Sequence, residues 1–403
     1  MQRRVSILEE LGFPLLKSPA AKPGWRARKT RRRSLAEQGL RKTLASADIV
    51  ADGDRPWDIQ VHNPHFYERV LAEGTLGFGE SYMDGWWDCD AVDEMCCRAI
   101  RARLCDHAPA NLQTVLSVAA SVILNLQNKH RSRHVAERHY DLGNDFFEAM
   151  LDPEMQYSCA YFRGTDDLAA AQRLKLDLIF RKLGLKPGMR LLDIGCGWGG
   201  LARIAARDHG CDVVGITISR EQQAHAANAC RGLPMEIRLQ DYRELSEPFD
   251  RIVSVGMMEH VGHKNFRAYF SSAHRCLAEG GLFLCHTIGG LKSQTHTDPW
   301  IERYIFPNSM IPSAAQIASA ADGLFVVEDV QNFGADYDQT LLSWEKNFSA
   351  AWPRFADRYG ERFRRMWRFY LLSCAGAFRA RDLQVYQFLL SKGGVPGGFL
   401  PVR

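Results

Sequence analysis

Hydrophobic and polar positions change period repeatedly along this chain, and each change predicts an element. Apolar residues recur at helical spacing from Leu168 to Leu183. Short apolar runs then alternate with amphipathic ones. Strands are expected at 190–194, 212–218, 235–240, 249–255 and 281–287, with helices at 201–209, 220–230 and 266–277. That βαβ rhythm belongs to a parallel sheet, so the expected class is a Rossmann-like, doubly wound α/β fold. Upstream, residues 58–138 read as mostly helical, with turn signals at Gly74, Gly77, Gly79 and Gly85. Within them the run 115–126 is apolar nearly all round, too short for a membrane span and suited to a buried or interfacial helix. It leads into a basic collar of Lys129, His130, Arg131, Arg133 and His134. Residues 289–345 read as an aromatic-rich insertion, placed after a strand's carboxyl end where a lid or substrate wall would stand.

The first strand runs into Gly195-Cys196-Gly197-Trp198-Gly199-Gly200 before a helix begins. Glycines there remove β-carbons that would keep a ligand off the backbone, and the helix start exposes N–H groups to an anion. Gly195, Gly197 and Gly200 fit a dinucleotide fingerprint, while Gly195, Gly197 and Gly199 fit the tighter turn of S-adenosylmethionine sites. A dinucleotide site also wants an acid at the end of the second strand. This strand ends in Thr217-Ile218-Ser219, which favours adenosylmethionine. Gln240 and Asp241, closing the third strand, offer acceptors for an adenine amino group.

Composition narrows the context. The chain has 403 residues, a hydrophobic fraction of 46% and a net charge of +4, enough for one large core or two moderate ones. Ten Lys/Arg against Glu9 and Glu10 place a surplus of eight in residues 1–33, so the remainder sums to −4. Pro14, Pro19, Pro23 and Gly24 predict poor order for that tail. Charge alone leaves open whether it contacts anionic lipid, nucleic acid or only solvent. The eleven cysteines are irregularly spaced with no C-x-x-C pair, which fits a reducing cytoplasm better than a disulfide framework.

Ligands of open parallel sheets sit beyond the carboxyl ends of the strands. Asp241, Glu259-His260 and His286 fall there. Taken singly, a buried Glu or His is usually a satisfied core residue; their convergence on the edge of the cofactor turn favours an active site. Glu259-His260-Val261-Gly262-His263 is not H-E-x-x-H, and Gly262 would break the helical face a metal needs, so no metal is expected.

Longer blocks are more specific. His139-Tyr140-Asp141-Leu142-Gly143-Asn144-Asp145-Phe146-Phe147, Met155-Gln156-Tyr157-Ser158-Cys159-Ala160-Tyr161, Gly256-Met257-Met258-Glu259-His260-Val261-Gly262 and Asn332-Phe333-Gly334-Ala335-Asp336-Tyr337 follow one another in order. With the glycine turn and Gly79-Glu80-Ser81-Tyr82-Met83-Asp84-Gly85-Trp86-Trp87, the chain from near Gly39 onward resembles the cyclopropane fatty acid (cyclopropane-fatty-acyl-phospholipid) synthases. The resemblance implies a class I S-adenosylmethionine-dependent methyltransferase fold. Its domains would be a basic tail at 1–38, a helical lipid-access and dimerisation domain at 39–138, and a catalytic domain at 139–403.

The implied reaction transfers a methyl from S-adenosylmethionine to a cis double bond of an unsaturated phospholipid, and bicarbonate-assisted deprotonation closes the ring. The resemblance carries the bicarbonate positions onto Cys159, Glu259, His286, the backbone of Ile288, and Tyr337. It places Tyr157, Ser158, Asp193, Gly195, Gly197, Gly199, Thr217, Ser219, Gln222, Gln240 and Asp241 around adenosylmethionine. It further implies a homodimer, cytoplasmic and peripheral to the inner face of the membrane, with nucleic acid disfavoured as a partner. A methyl-branched or methylene product, or a non-catalytic lipid-binding homologue, are the alternatives the sequence leaves open.

Overall fold

The computed structural model describes residues 33–104 and 142–403. The expected apolar helix at 115–126, the basic collar at 129–134 and all but the end of the basic tail lie outside the described residues. Helix α1 (Leu35–Ala45) is capped by Ser34, whose hydroxyl accepts the Glu37 N–H, so the last four residues of the expected tail are its first turn. There follow β1 (Gln60–Val61), α2 (Phe66–Glu73), α3 (Thr75–Met83), β2 (Trp87–Asp88) and α4 (Val92–Arg101). Gly77 and Gly79, expected in turns, lie inside α3. They are glycines because of close approach: a β-carbon on Gly77 would meet Arg69 O at 2.7 Å, and one on Gly79 would overlap the Trp300 indole.

The second described stretch holds α5 (Asn144–Met150), α6 (Leu168–Leu183), β3 (Arg190–Ile194), α7 (Gly200–His209), β4 (Asp212–Thr217), α8 (Arg220–Ala229), β5 (Met235–Leu239), β6 (Phe249–Val255), α9 (Phe266–Cys276) and β7 (Leu277–Gly290). It ends with α10 (Pro299–Tyr304), α11 (Ala314–Ala321), β8 (Val326–Asn332), α12 (Ala335–Ala351), α13 (Ala356–Arg379) and β9 (Leu383–Ser391). Seven strands form one sheet in the order β5-β4-β3-β6-β7-β9-β8. β3 to β7 are parallel, as expected. The sequence reading missed β9, which pairs antiparallel with both β7 and β8. The supposed insertion at 289–345 therefore contributes a strand, β8, to the sheet edge.

The N-terminal helices share a core with the part of the chain that carries the seven-stranded sheet. The Phe369 ring on α13 lies 5.4 Å from Tyr82, 6.2 Å from Trp87 and 4.9 Å from Trp300. Gly376 lets α13 touch the backbone of α4 at Asp93. Tyr304 OH donates to Glu80 Oε1 at 2.7 Å, and Arg69 also pairs with Glu80. Among the described residues no helix is long and apolar enough to cross a membrane.

Candidate active site

The glycine turn leaves β3 with Gly195, Gly197 and Gly199 all at positive φ, a region that costs other residues about 1–2 kcal/mol. The N–H groups of Gly195 and Cys196 both reach Ile216 O, at 2.9 and 3.0 Å, which ties the turn to β4. A cavity opens beside it, floored by the turn and walled by residues 155–158, the ends of β4 and β5, and Met257, His260 and Phe306.

Ten of the eleven cofactor residues expected from sequence line this cavity: Tyr157, Ser158, Asp193, Gly195, Gly197, Thr217, Ser219, Gln222, Gln240 and Asp241. Gly199 does not. A β-carbon there would sit 3.0 Å from Ala226 Cβ, so this glycine serves the packing of α7 on α8. Gly200 is tighter still, since its β-carbon would overlap Glu154 O.

The polar groups at the β4 end organise one another. Ser219 caps α8 by accepting the Gln222 N–H at 3.3 Å, and Thr217 Oγ1 donates to Gln222 Oε1 at 3.0 Å. Asp241 accepts from Arg243 Nε at 2.8 Å and Nη2 at 2.6 Å, so its charge is matched by a cation that itself lines the cavity. Asp193 lies at the cavity floor, where burial pushes its carboxyl up to about 7 against the opposing field of Lys175.

The five residues expected to hold an anion do not line this cavity; Cys159, Glu259, His286 and Tyr337 are buried and Ile288 is partly buried. Glu259, in the short turn of helix 258–260 after β6, accepts the Ile288 N–H through Oε1 at 2.6 Å. Its Oε2 is buried with no hydrogen-bond partner, and burial raises the carboxyl above its ordinary range. His286 precedes Ile288 by two residues on β7, so both project from one face of the strand. Burial, reinforced by Lys175 and Lys182, holds its imidazole neutral.

Tyr337, at the start of α12, lies within the electrostatic reach of Cys159, Tyr157 and Glu259. Its ring is 5.8 Å from Trp344, which lies 5.1 Å from Tyr157 at the cofactor cavity. Burial also keeps Cys159 a thiol, its pKa pushed well up. An orphaned carboxyl oxygen in a dry site fits a small ligand that brings its own O–H or accepts the carboxyl proton. Bicarbonate meets both conditions.

Sequence reasoning did not select Phe306 or Arg243, both of which line the cofactor cavity, as His260 and Trp198 do. His260 was noticed beside Glu259, but adjacent residues diverge: Glu259 faces Ile288, while His260 turns to the cofactor cavity and lies 5.6 Å from Phe306. Burial lowers His260 to about 4, so it adds no positive charge there. Lys175 carried no signal at all, being one lysine in an amphipathic helix.

A glycine-turn cavity at the carboxyl edge of this sheet, with strand β9 reversed, defines the S-adenosylmethionine-dependent methyltransferase fold. Three comparisons narrow that class. A model of the mycolic acid cyclopropane synthetase family matches residues 127–388. The chain is 55% identical over 350 residues to the cyclopropane-fatty-acyl-phospholipid synthase of Escherichia coli strain K12, covering 87% of this chain and 92% of that one. Two solved structures are similar. The cyclopropane synthase MmaA2 of Mycobacterium tuberculosis matches with a TM-score of 0.62 and 34% identity over 67% of this chain and all of that one. The mycolic acid cyclopropane synthase CmaA1, complexed with SAH and CTAB, matches with a TM-score of 0.61 and 36% identity over 64% and 98%. The chain belongs to the mycolic acid cyclopropane synthetase family.

Proposed function

We propose that this protein is a cyclopropane-fatty-acyl-phospholipid synthase, which methylates the cis double bond of a membrane phospholipid with S-adenosylmethionine and closes a ring. One observation carries the reading: Glu259, buried with an unpartnered oxygen, is the chain neighbour of His260, which lines a glycine-turn cavity suited to an adenosyl donor. An alkene is a weak nucleophile, so its reaction needs alignment with the donor in a site from which water is excluded. Tyr157 and Trp344 supply aromatic faces between the two sites, suited to positive charge developing on the acyl chain.

Bound bicarbonate would supply the base that removes a proton from the transferred methyl. Glu259, His286, Tyr337 and Cys159 would hold it, and the Ile288 N–H, which the resemblance also nominated, is already engaged by Glu259 Oε1 and would fix that carboxyl. Glu259 would accept its hydroxyl proton, and the neutral His286 and Tyr337 would donate to its oxygens. The family resemblance supports a homodimer working at the inner face of the membrane, with the helices N-terminal to residue 138 giving lipid access.

The test is incubation with vesicles of unsaturated phospholipid and methyl-labelled adenosylmethionine. Mass spectrometry should find label in a lipid that resists hydrogenation as a ring does. A methylene product shares the ring's mass but is reduced on hydrogenation; a methyl branch differs in mass. Unmodified lipid despite confirmed donor binding would overturn the proposal and favour a lipid-binding homologue without catalysis.

A further inference from the structure

Three polar side chains form a row across β7, β9 and β8. His286 is in register with Gln387, and Gln387 with Gln331. Directly opposed residues of antiparallel strands project from the same face, so the row is continuous. It ends at Tyr161, whose hydroxyl receives Gln331 Nε2 at 3.4 Å. All three side chains of the row are buried. A buried polar atom left unpaired costs about 1–3 kcal/mol. Gln387 Oε1 and Gln331 Oε1 are nonetheless without a hydrogen-bond partner in this structure. Packing alone would have been better served by an apolar side chain at 387. What Gln387 does reach is the catalytic-site histidine: its Nε2 lies 3.3 Å from His286 Nδ1.

With the Gln387 amide oriented as it is here, its nitrogen donates, which makes Nδ1 the acceptor and puts the one proton of a neutral imidazole on Nε2. The groups that hold the ring neutral are its burial and the nearby cations Lys175 and Lys182. We propose that Gln387 is a positioning residue that locks His286 in its Nε2–H tautomer, so that the ring faces an anion held beside Glu259 as a donor. This rests on the bicarbonate site proposed above. A histidine in the other tautomer would present a lone pair to the anion and repel it. The backbone partner of Glu259, Ile288, lies on the same strand as His286, so one strand would deliver both a structural N–H and this donor to the site.

Nitrogen NMR on the full chain labelled at histidine reads the tautomer directly, with the His286 signal assigned through His286→Gln. The wild type should show Nε2–H. Gln387→Glu, whose carboxylate accepts, should move the proton to Nδ1 and raise the imidazole pKa. The same variant should weaken binding of labelled bicarbonate by about tenfold or more, the loss of one charge-assisted hydrogen bond, while adenosylmethionine affinity stays unchanged. An Nδ1–H ring in the wild type overturns the proposal, and so does an unmoved tautomer in Gln387→Glu. If that variant does not fold, the wild-type spectrum decides alone. Nε2–H in the wild type without measurable bicarbonate binding supports the tautomer lock and counts against the bicarbonate reading only.

Discussion

The ammonium of Lys175 lies 2.9 Å from the hydroxyl of Ser158, and the lysine is fully buried. It also donates to Gln156 Oε1 at 2.8 Å, while Gln172, one turn earlier on α6, donates to Ser158 O at 2.9 Å. The clamped segment carries Tyr157 into the cofactor cavity and Cys159 toward Tyr337. Burial lowers the ammonium to about 8, against the pull of Asp152, Cys159 and Asp193. Lys175→Met should leave Gln156 Oε1 unpaired and cost about 1–3 kcal/mol in urea denaturation. Calorimetry should also show weaker adenosylmethionine binding, because the segment is no longer held. Unchanged stability and affinity would remove the clamp.

Asp193 gives a prediction with a sign. Its folded carboxyl titrates near about 7, whereas an unfolded aspartate titrates near about 3.9. Between those values the folded chain keeps a proton that the unfolded chain has lost. The contribution of this group to stability therefore falls as pH rises through that window. Asp193→Asn should make the ligand-free protein melt higher than the parent near pH ~8, with the gain shrinking toward pH ~5. A sulfonium favours the ionised carboxylate, so donor binding below neutrality should release protons. Calorimetry in buffers of different ionisation enthalpy measures that release, and proton uptake would contradict it.

Gly200 provides a steric test. Its φ is unexceptional, but an added methyl would overlap the backbone of Glu154 and come within 2.6 Å of Gln156 Nε2. Gly200→Ala must displace the segment that walls the cavity. Donor affinity should drop by about tenfold or more, since overpacking costs roughly 1–3 kcal/mol. Retained affinity would show that the segment moves freely.

Much of this architecture is legible in the sequence. The strand at 190–194, the strand at 249–255 and the helix at 168–183 coincide with β3, β6 and α6, because buried parallel strands and amphipathic helices carry strong periodic signals. β8 escapes notice because Val326-Val327-Glu328-Asp329-Val330 breaks alternation at a register shift between Val327 and Asp329. β9 closes the sheet only through partners distant in sequence. Gly77 and Gly79 read as turns because sequence shows a missing side chain but not the Arg69 backbone or Trp300 that requires it. At the site, the cofactor residues follow from the turn and strand ends. The residues nominated for an anion come from segments far apart in the chain, and only the family resemblance nominated Cys159 and Tyr337.

The shared core predicts how the chain tolerates division. Phe369, Trp300 and Gly376 are covered by α3, β2 and α4. A fragment of residues 142–403 should expose that aromatic face and aggregate or melt well below the full chain, as judged by light scattering and thermal denaturation. A monodisperse fragment with the parent's melting temperature would establish a separable catalytic domain.

The central claim is that Glu259 serves the chemistry and not the binding of the donor. Glu259→Gln keeps the shape and the oxygen that receives the Ile288 N–H, but removes the titrating carboxyl from the buried site. Adenosylmethionine affinity and lipid turnover, measured side by side on this variant, separate the two roles. The account predicts affinity within about twofold of the parent and turnover reduced by about 10²–10⁴, the range for loss of acid–base function. Turnover at the parent's rate, or loss of affinity and turnover together, would contradict it.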